Sequence, residues 1–155
     1  MVMFNNSQRS SMACLRDIDV AILAGGLGSR LQGTLDDLPK VLAPIGNQPF
    51  LNILLDHLKS FGARRVILAL GHLAEHVMTF LEENPTKDVR IDYTIEDKPQ
   101  GTAGAIREIS HHFYNYPVMV MNGDSFIDAN LCEFRNSHAC SGAKASILCT
   151  TVSDN

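Results

Sequence analysis

Continuous apolar runs and segments of helical period take turns along this chain, and that alternation restricts its fold more than any other feature. "DVAILA" (19–24) and "RVILALG" (65–71) are apolar stretches that end at glycine, the pattern of strands buried on both faces. "PVMVMNGD" (117–124) is a third of this kind. "VRIDYTIE" (89–96) instead alternates strictly, with Val89, Ile91, Tyr93 and Ile95 on one face, and reads as a half-exposed strand near the sheet edge. Between them, "PFLNILLDHLKSFG" (49–62) repeats Phe50, Ile53, Leu54, Leu58 and Phe61 at helical spacing. Pro49 suits its first turn and Gly62 its end. Further helices are expected over 73–84, from about Thr102, and over 131–140, with a last strand over "AKASILCTTV" (143–152). Strand and helix alternating in this way predict an α/β fold, a Rossmann-like three-layer sandwich with a mostly parallel sheet and helices on both faces.

The 155 residues suit one domain, and no repeat, low-complexity tract or interdomain linker divides them. The domain is expected over 18–155, after a disordered leader over 1–17 that contains "NNSQRSS" and lacks the apolar core of a signal peptide. No apolar run approaches the roughly 20 residues of a membrane span. The net charge of −4 and the lack of any basic run argue against a nucleic-acid partner. Any bound anion must therefore be held by a few placed residues. Cys14, Cys132, Cys140 and Cys149 show no C-x-x-C spacing, so free thiols in a reducing cytoplasm are expected.

In open parallel sheets, ligands bind beyond the C-terminal ends of the strands. Those ends are followed here by Gly25–Arg30, Gly71–His72, Glu96–Gly101 and Asn122–Asp124. Gly25, Gly26 and Gly28 permit close backbone approach, and consecutive amides in such a loop make a concave anion site. The loop is neither a dinucleotide fingerprint, which wants a small residue at Leu31, nor a P-loop, since no lysine follows a glycine. What remains is G-G-x-G-[ST]-R-L with Pro-Lys nine residues after the arginine. Arg30 offers phosphate oxygens a planar fork and Lys40 a mobile point charge.

With "GGLGSRL" and "PKVLAP", the chain resembles the sugar-1-phosphate nucleotidyltransferases, whose signature is G-G-x-G-T-R-L followed by P-K-P-L-x-P. Ser29 stands in place of threonine and Val41 in place of proline. "QPFLNILLDHL", "EDKPQGTAGAI" and "VMVMNGDSF" extend the resemblance in order and spacing, over about residues 18–150. It is strongest toward the branch that activates heptose or mannose 1-phosphate with GTP.

The resemblance implies the nucleotide-diphospho-sugar transferase fold and nucleotidyl transfer from a nucleoside triphosphate, GTP favoured, to a sugar 1-phosphate. It implies a place in nucleotide-sugar supply for lipopolysaccharide or capsule, and a homo-oligomer. By the same resemblance, Arg30 and Lys40 are catalytic and Asp124 ligates Mg²⁺. Nucleotide contacts fall to Leu23, Gly25, Gly26, Gly28, Ser29, Gly71, His72, Glu96, Lys98, Gly101, Thr102 and Asn122. Family members run well past the length of this chain, so it is expected to lack most of the acceptor half, including the sugar-phosphate lysine and a second metal carboxylate. A non-catalytic nucleotide-binding or interaction module built on the same fold is the alternative.

Two patterns carry other readings. "HLAEH" (72–76) matches H-x-x-E-H, but no segment supplies the distant third ligand a zinc site needs. Asn122-Gly123 is a hairpin signal, yet "SFIDANLCEF" offers no alternating partner strand. Asp128 reads as a helix cap.

Overall fold

The computed structural model describes residues 13–26 and 38–149. The chain runs through strand β1 (Val20–Ala24), a small antiparallel hairpin of β2 (Pro44–Ile45) and β3 (Gln48–Pro49), and helix α1 (Phe50–Ser60). It continues through β4 (Arg65–Leu70), α2 (Ala74–Glu83), β5 (Arg90–Ile95), α3 (Gly101–Ile109), β6 (Met119–Asn122) and α4 (Leu131–Ser141). The main sheet has the order β5-β4-β1-β6, and every pairing in it is parallel. The expected α/β class is therefore observed.

Side-chain alternation divides the strands between two cores. Val20, Ile22, Val66, Leu68 and Leu70 face Leu51, Leu54 and Leu58 of α1, Val77 of α2 and Leu131 of α4. Ala21, Ile67 and Ala69 face Ala105 and Ile109 of α3 on the other side. The result is three layers, with the apolar stripe of each helix buried against one face of the sheet.

At the N-terminal end of the sheet, Asp19 is fully buried and Arg65 nearly so. Arg65 Nη1 donates to Asp19 Oδ2 at 2.9 Å, and its Nε donates to Asp92 Oδ2 at 2.8 Å. The backbone N–H groups of Tyr114 and Asn115 also donate to Asp19, at 2.6 and 3.1 Å, and the Asn115 amide adds a third bond at 3.2 Å. The Arg65 guanidinium lies over the Tyr114 ring at 4.3 Å. One carboxylate thus ties β1 and β4 to the turn that leads into β6. Burial pushes the Asp19 carboxyl up, but the Tyr114 and Asn115 hydrogen bonds and Arg65 outweigh it and hold the group below the ordinary 3.8.

At the opposite end, the exits of β1 and β4 are pressed together. A Cβ on Gly71 would lie 2.7 Å from the carbonyl oxygen of Gly25 and 3.0 Å from its Cα. A Cβ on Gly25 would meet nothing closer than 3.4 Å.

Several expectations are corrected. Residues 143–149 form no strand and are all exposed, Ile147 by 85%. Apolar, β-branched composition suggested a strand there, but no neighbouring strand pairs with its backbone. The disorder expected through residue 17 does not extend over residues 13–17, where Leu15 is fully buried and its N–H donates to Phe61 C=O at 3.0 Å. Residues 1–12 lie outside the described residues.

The expectation of four free thiols fails for two. Cys14 and Cys132, 118 residues apart in sequence, form a disulfide, whereas Cys140 and Cys149 are free and exposed. Local spacing misses such a pair because only the docking of 13–18 beside α4 brings the thiols together. The cap of α4 is Asn130, whose side chain accepts from the N–H groups of Cys132 and Glu133, and not Asp128. The face of β5 bearing Val89 and Ile91 packs inward, but Tyr93 and Ile95 farther along are exposed, since the core cluster takes in nothing of β5 beyond Ile91.

Two outcomes follow. Removing the buried carboxylate in Asp19→Ala leaves Arg65 without a main partner and should cost about 3–5 kcal/mol in urea unfolding. Because the folded-state pKa of Asp19 is depressed, its stabilisation is complete above the ordinary carboxylate range and is lost as pH falls through the folded value. The gap between wild type and Asp19→Ala should therefore stay constant above about pH 5 and shrink below about pH 4. Gly71→Ala should cost about 1–3 kcal/mol through overpacking of backbone against backbone, and more than Gly25→Ala. Equal thermal stabilities for those two variants would contradict the observed packing.

Candidate functional site

The cavity that the fold builds at the C-terminal ends of β1, β5 and β6 has a volume of about 380 Å³, within the usual range for small-molecule sites. Leu23, Ala24, Gly25 and Gly26 enter it from β1, and Asn122, Gly123 and Asp124 from β6. Glu96 and Pro99 line it after β5, and Gly101, Thr102 and Ala105 from α3. Lys40 and Val41 complete the wall.

Each side chain is held by identifiable local structure. Lys40 opens a single 3₁₀ turn, Lys40–Leu42, in which Val41 and Leu42 are buried in the core. The Leu42 N–H donates to Pro39 C=O at 2.8 Å and the Ala43 N–H to Lys40 C=O at 3.0 Å, so the backbone beneath the lysine is fixed while its stem projects toward the cavity. Gly123 is buried, and its N–H donates to Leu23 C=O at 2.8 Å. A Cβ there would lie 2.9 Å from that same oxygen. Only glycine lets the β6 exit lie this close to β1, which sets Asn122 and Asp124 on either side of the contact.

The polar groups have distinct states. Lys40 Nζ lies 3.7 Å from Asp124 Oδ2, and Ser125 Oγ donates to Asp124 Oδ1 at 3.0 Å. Glu96 Oε1 is shielded from solvent and has no hydrogen-bond partner among the described residues. An acceptor in that condition is costly to leave unpaired. The first turn of α3 has no side-chain cap, so its amide groups remain available at the cavity rim. Asp124 is a single hard-oxygen donor, and no group of three or more His, Cys, Asp or Glu among the described residues is arranged around a metal. That donor set suits a hard cation sharing its shell with ligand phosphates, not an all-protein cage.

Of the residues singled out from sequence, Leu23, Gly25, Gly26, Lys40, Glu96, Gly101, Thr102, Asn122 and Asp124 come together in this cavity. Gly71, His72 and Lys98 do not line it, and Gly71 instead packs on Gly25. Gly28, Ser29 and Arg30 lie outside the described residues. Ala24, Val41, Pro99, Ala105 and Gly123 line the cavity without having been singled out. The N-G-D sequence carried a signal for Gly123, whereas Val41 and Ala105 look like any core residue until the fold turns them inward.

No helix among the described residues is long and apolar enough to cross a membrane. The Nucleotidyl transferase family matches residues 20–155. The D-glycero-alpha-D-manno-heptose 1-phosphate guanylyltransferase of Campylobacter jejuni is 39% identical over 114 residues, covering 74% of this chain and 51% of that protein. Its counterpart from Aneurinibacillus thermoaerophilus is 36% identical over 121 residues, covering 78% and 52%. The crystal structure of HddC from Yersinia pseudotuberculosis superposes with a TM-score of 0.72 at 35% identity, covering 78% of this chain and 54% of that one. A second HddC structure, complexed with GMP-PN, matches at the same TM-score and 34% identity. The chain thus spans about half the length of these relatives. The chain, whose sequence carries GGLGSRL, PKVLAP and NGD and which the family matches over residues 20–155, belongs to the nucleotidyl transferase family.

Proposed function

We propose that this chain binds GTP with Mg²⁺ and carries the nucleotide half of a guanylyl transfer to a sugar 1-phosphate. The observation that carries the reading is the gathering of Glu96, the Lys40–Asp124 pair and the Gly25–Gly26 segment around one cavity. Guanine presents N1–H and N2–H side by side, and an ionised carboxylate is an acceptor that takes such a pair of donors. Adenine offers no donor at N1, and uracil, thymine and cytosine each offer only one donor in the corresponding region. The names of the heptose and mannose relatives agree with a guanine nucleotide.

The reaction so assigned is an in-line displacement at the α-phosphorus. A sugar 1-phosphate oxygen forms the new P–O bond as the bond to pyrophosphate breaks. Such chemistry depends on positioning and charge neutralisation more than on any covalent protein intermediate. The amides of the Gly25–Gly26 segment and Arg30 hold the triphosphate tail, and Lys40 neutralises the phosphates as negative charge moves toward the leaving group. Bound Mg²⁺, held by Asp124 and phosphate oxygens, supplies further charge neutralisation at the α-phosphate.

Calorimetric titration with GTP, ATP, UTP, CTP and dTTP, each with Mg²⁺, tests the base. GTP should bind saturably and preferentially, and Glu96→Ala should weaken GTP at least about tenfold, the value of a hydrogen bond to a charged group, while leaving ATP unchanged. Equal affinity for all five nucleotides would remove Glu96 from its role. Where sugar 1-phosphate is turned over, Lys40→Ala or Arg30→Ala should each cost on the order of 2–4 kcal/mol of transition-state stabilisation, and full turnover in either variant would refute its assignment. Selective GTP binding with no turnover would favour the binding-module reading instead.

A further inference from the structure

We propose that Lys40 occupies the metal-binding carboxylate of Asp124 until a nucleotide arrives, so that the divalent cation and the nucleotide enter the site as coupled ligands. This handover rests on the nucleotidyl-transfer reading and adds to it an order of events.

Both oxygens of Asp124 face a partner, Oδ1 the Ser125 hydroxyl at 3.0 Å and Oδ2 the Lys40 ammonium at 3.7 Å. The backbones beneath both groups are fixed. Val41 and Leu42 are buried under Lys40, and Gly123 is hydrogen-bonded to Leu23 beside Asp124. The freedom in the pair lies in the four-carbon stem of the lysine, whose side chain is 28% exposed. A dication approaching Oδ2 alone meets a positive charge already there, and the described residues assemble no group of three or more ligands to hold it without help from phosphate oxygens.

A triphosphate changes both terms. Its oxygens give the Lys40 ammonium a denser anion on the same cavity wall, so the lysine exchanges one ion pair for another. Asp124 Oδ2 is then released while the phosphates complete the cation's shell. Coupling of this kind is reciprocal, with nucleotide raising metal affinity by the factor that metal raises nucleotide affinity.

The test uses Mn²⁺ as the probe, with free Mn²⁺ followed by electron paramagnetic resonance in the absence of nucleotide. Lys40→Met should bind Mn²⁺ about three- to fivefold more tightly than wild type, the range a half-exposed ion pair supports. The gain should disappear in the Lys40→Met/Asp124→Asn double variant. Lys40→Gln should reproduce the gain and serves if the methionine variant folds poorly by circular dichroism. Affinities equal to or below wild type in both lysine variants would overturn the handover. The same titrations with GTP present separate the two layers. If Asp124→Asn weakens Mn²⁺ binding in the GTP complex while neither lysine variant differs from wild type without nucleotide, the handover fails and the functional reading stands. If GTP does not bind the wild-type chain, the functional reading fails and takes the handover with it.

Discussion

The hydrogen bonding of β1 on both sides is the constraint on which the rest of the molecule depends. Val20 pairs with Val66 on one side and with Met119 on the other, and the registers run on in step to Leu23 opposite Ala69 and Asn122. Three parallel strands in this register end at nearly the same level. Their exit loops therefore converge on one rim, and the chain need only place the right residues at those exits to build a site. Ala24, Gly71 and Gly123 follow directly from this pairing.

The two ends of the sheet are held by different physics. At the N-terminal end, a buried carboxylate satisfied by an arginine and by backbone amides joins β1, β4 and the approach to β6. At the C-terminal end the described residues form no such clamp around the cavity, and closeness is achieved by omitting side chains at Gly71 and Gly123. Apart from the Lys40–Asp124 pair, the cavity rim presents the uncapped first turn of α3, whose backbone amides remain open to a ligand. One end spends its polar groups on structure and the other holds them for binding.

Sequence periodicity identified the four sheet strands and four helices because each buries a face whose spacing is set by backbone geometry. It failed where a neighbour decides the outcome. Residues 143–149 have strand composition but no pairing partner, and the β2–β3 hairpin formed around "PIGNQP" without any alternating run to announce it. The same limit applied to cysteines. Cys14 and Cys132 carry no local signature of their bond, because their meeting depends on where α4 docks.

For the site, the residue types and their order were legible in one dimension. Glycines after a strand and Pro-Lys on a short apolar segment point to a phosphate ligand because amides and an ammonium bind its oxygens, and the N-G-D carboxylate after another strand suits the hard cation that accompanies it. What only tertiary structure decided is which of these groups meet. It placed Lys40 beside Asp124, brought Glu96 to the same cavity wall, and packed Gly71 against Gly25. The physical reason is that chemical capacity belongs to the single side chain, whereas distance, burial and the partner a group finds or lacks depend on segments far apart in the chain.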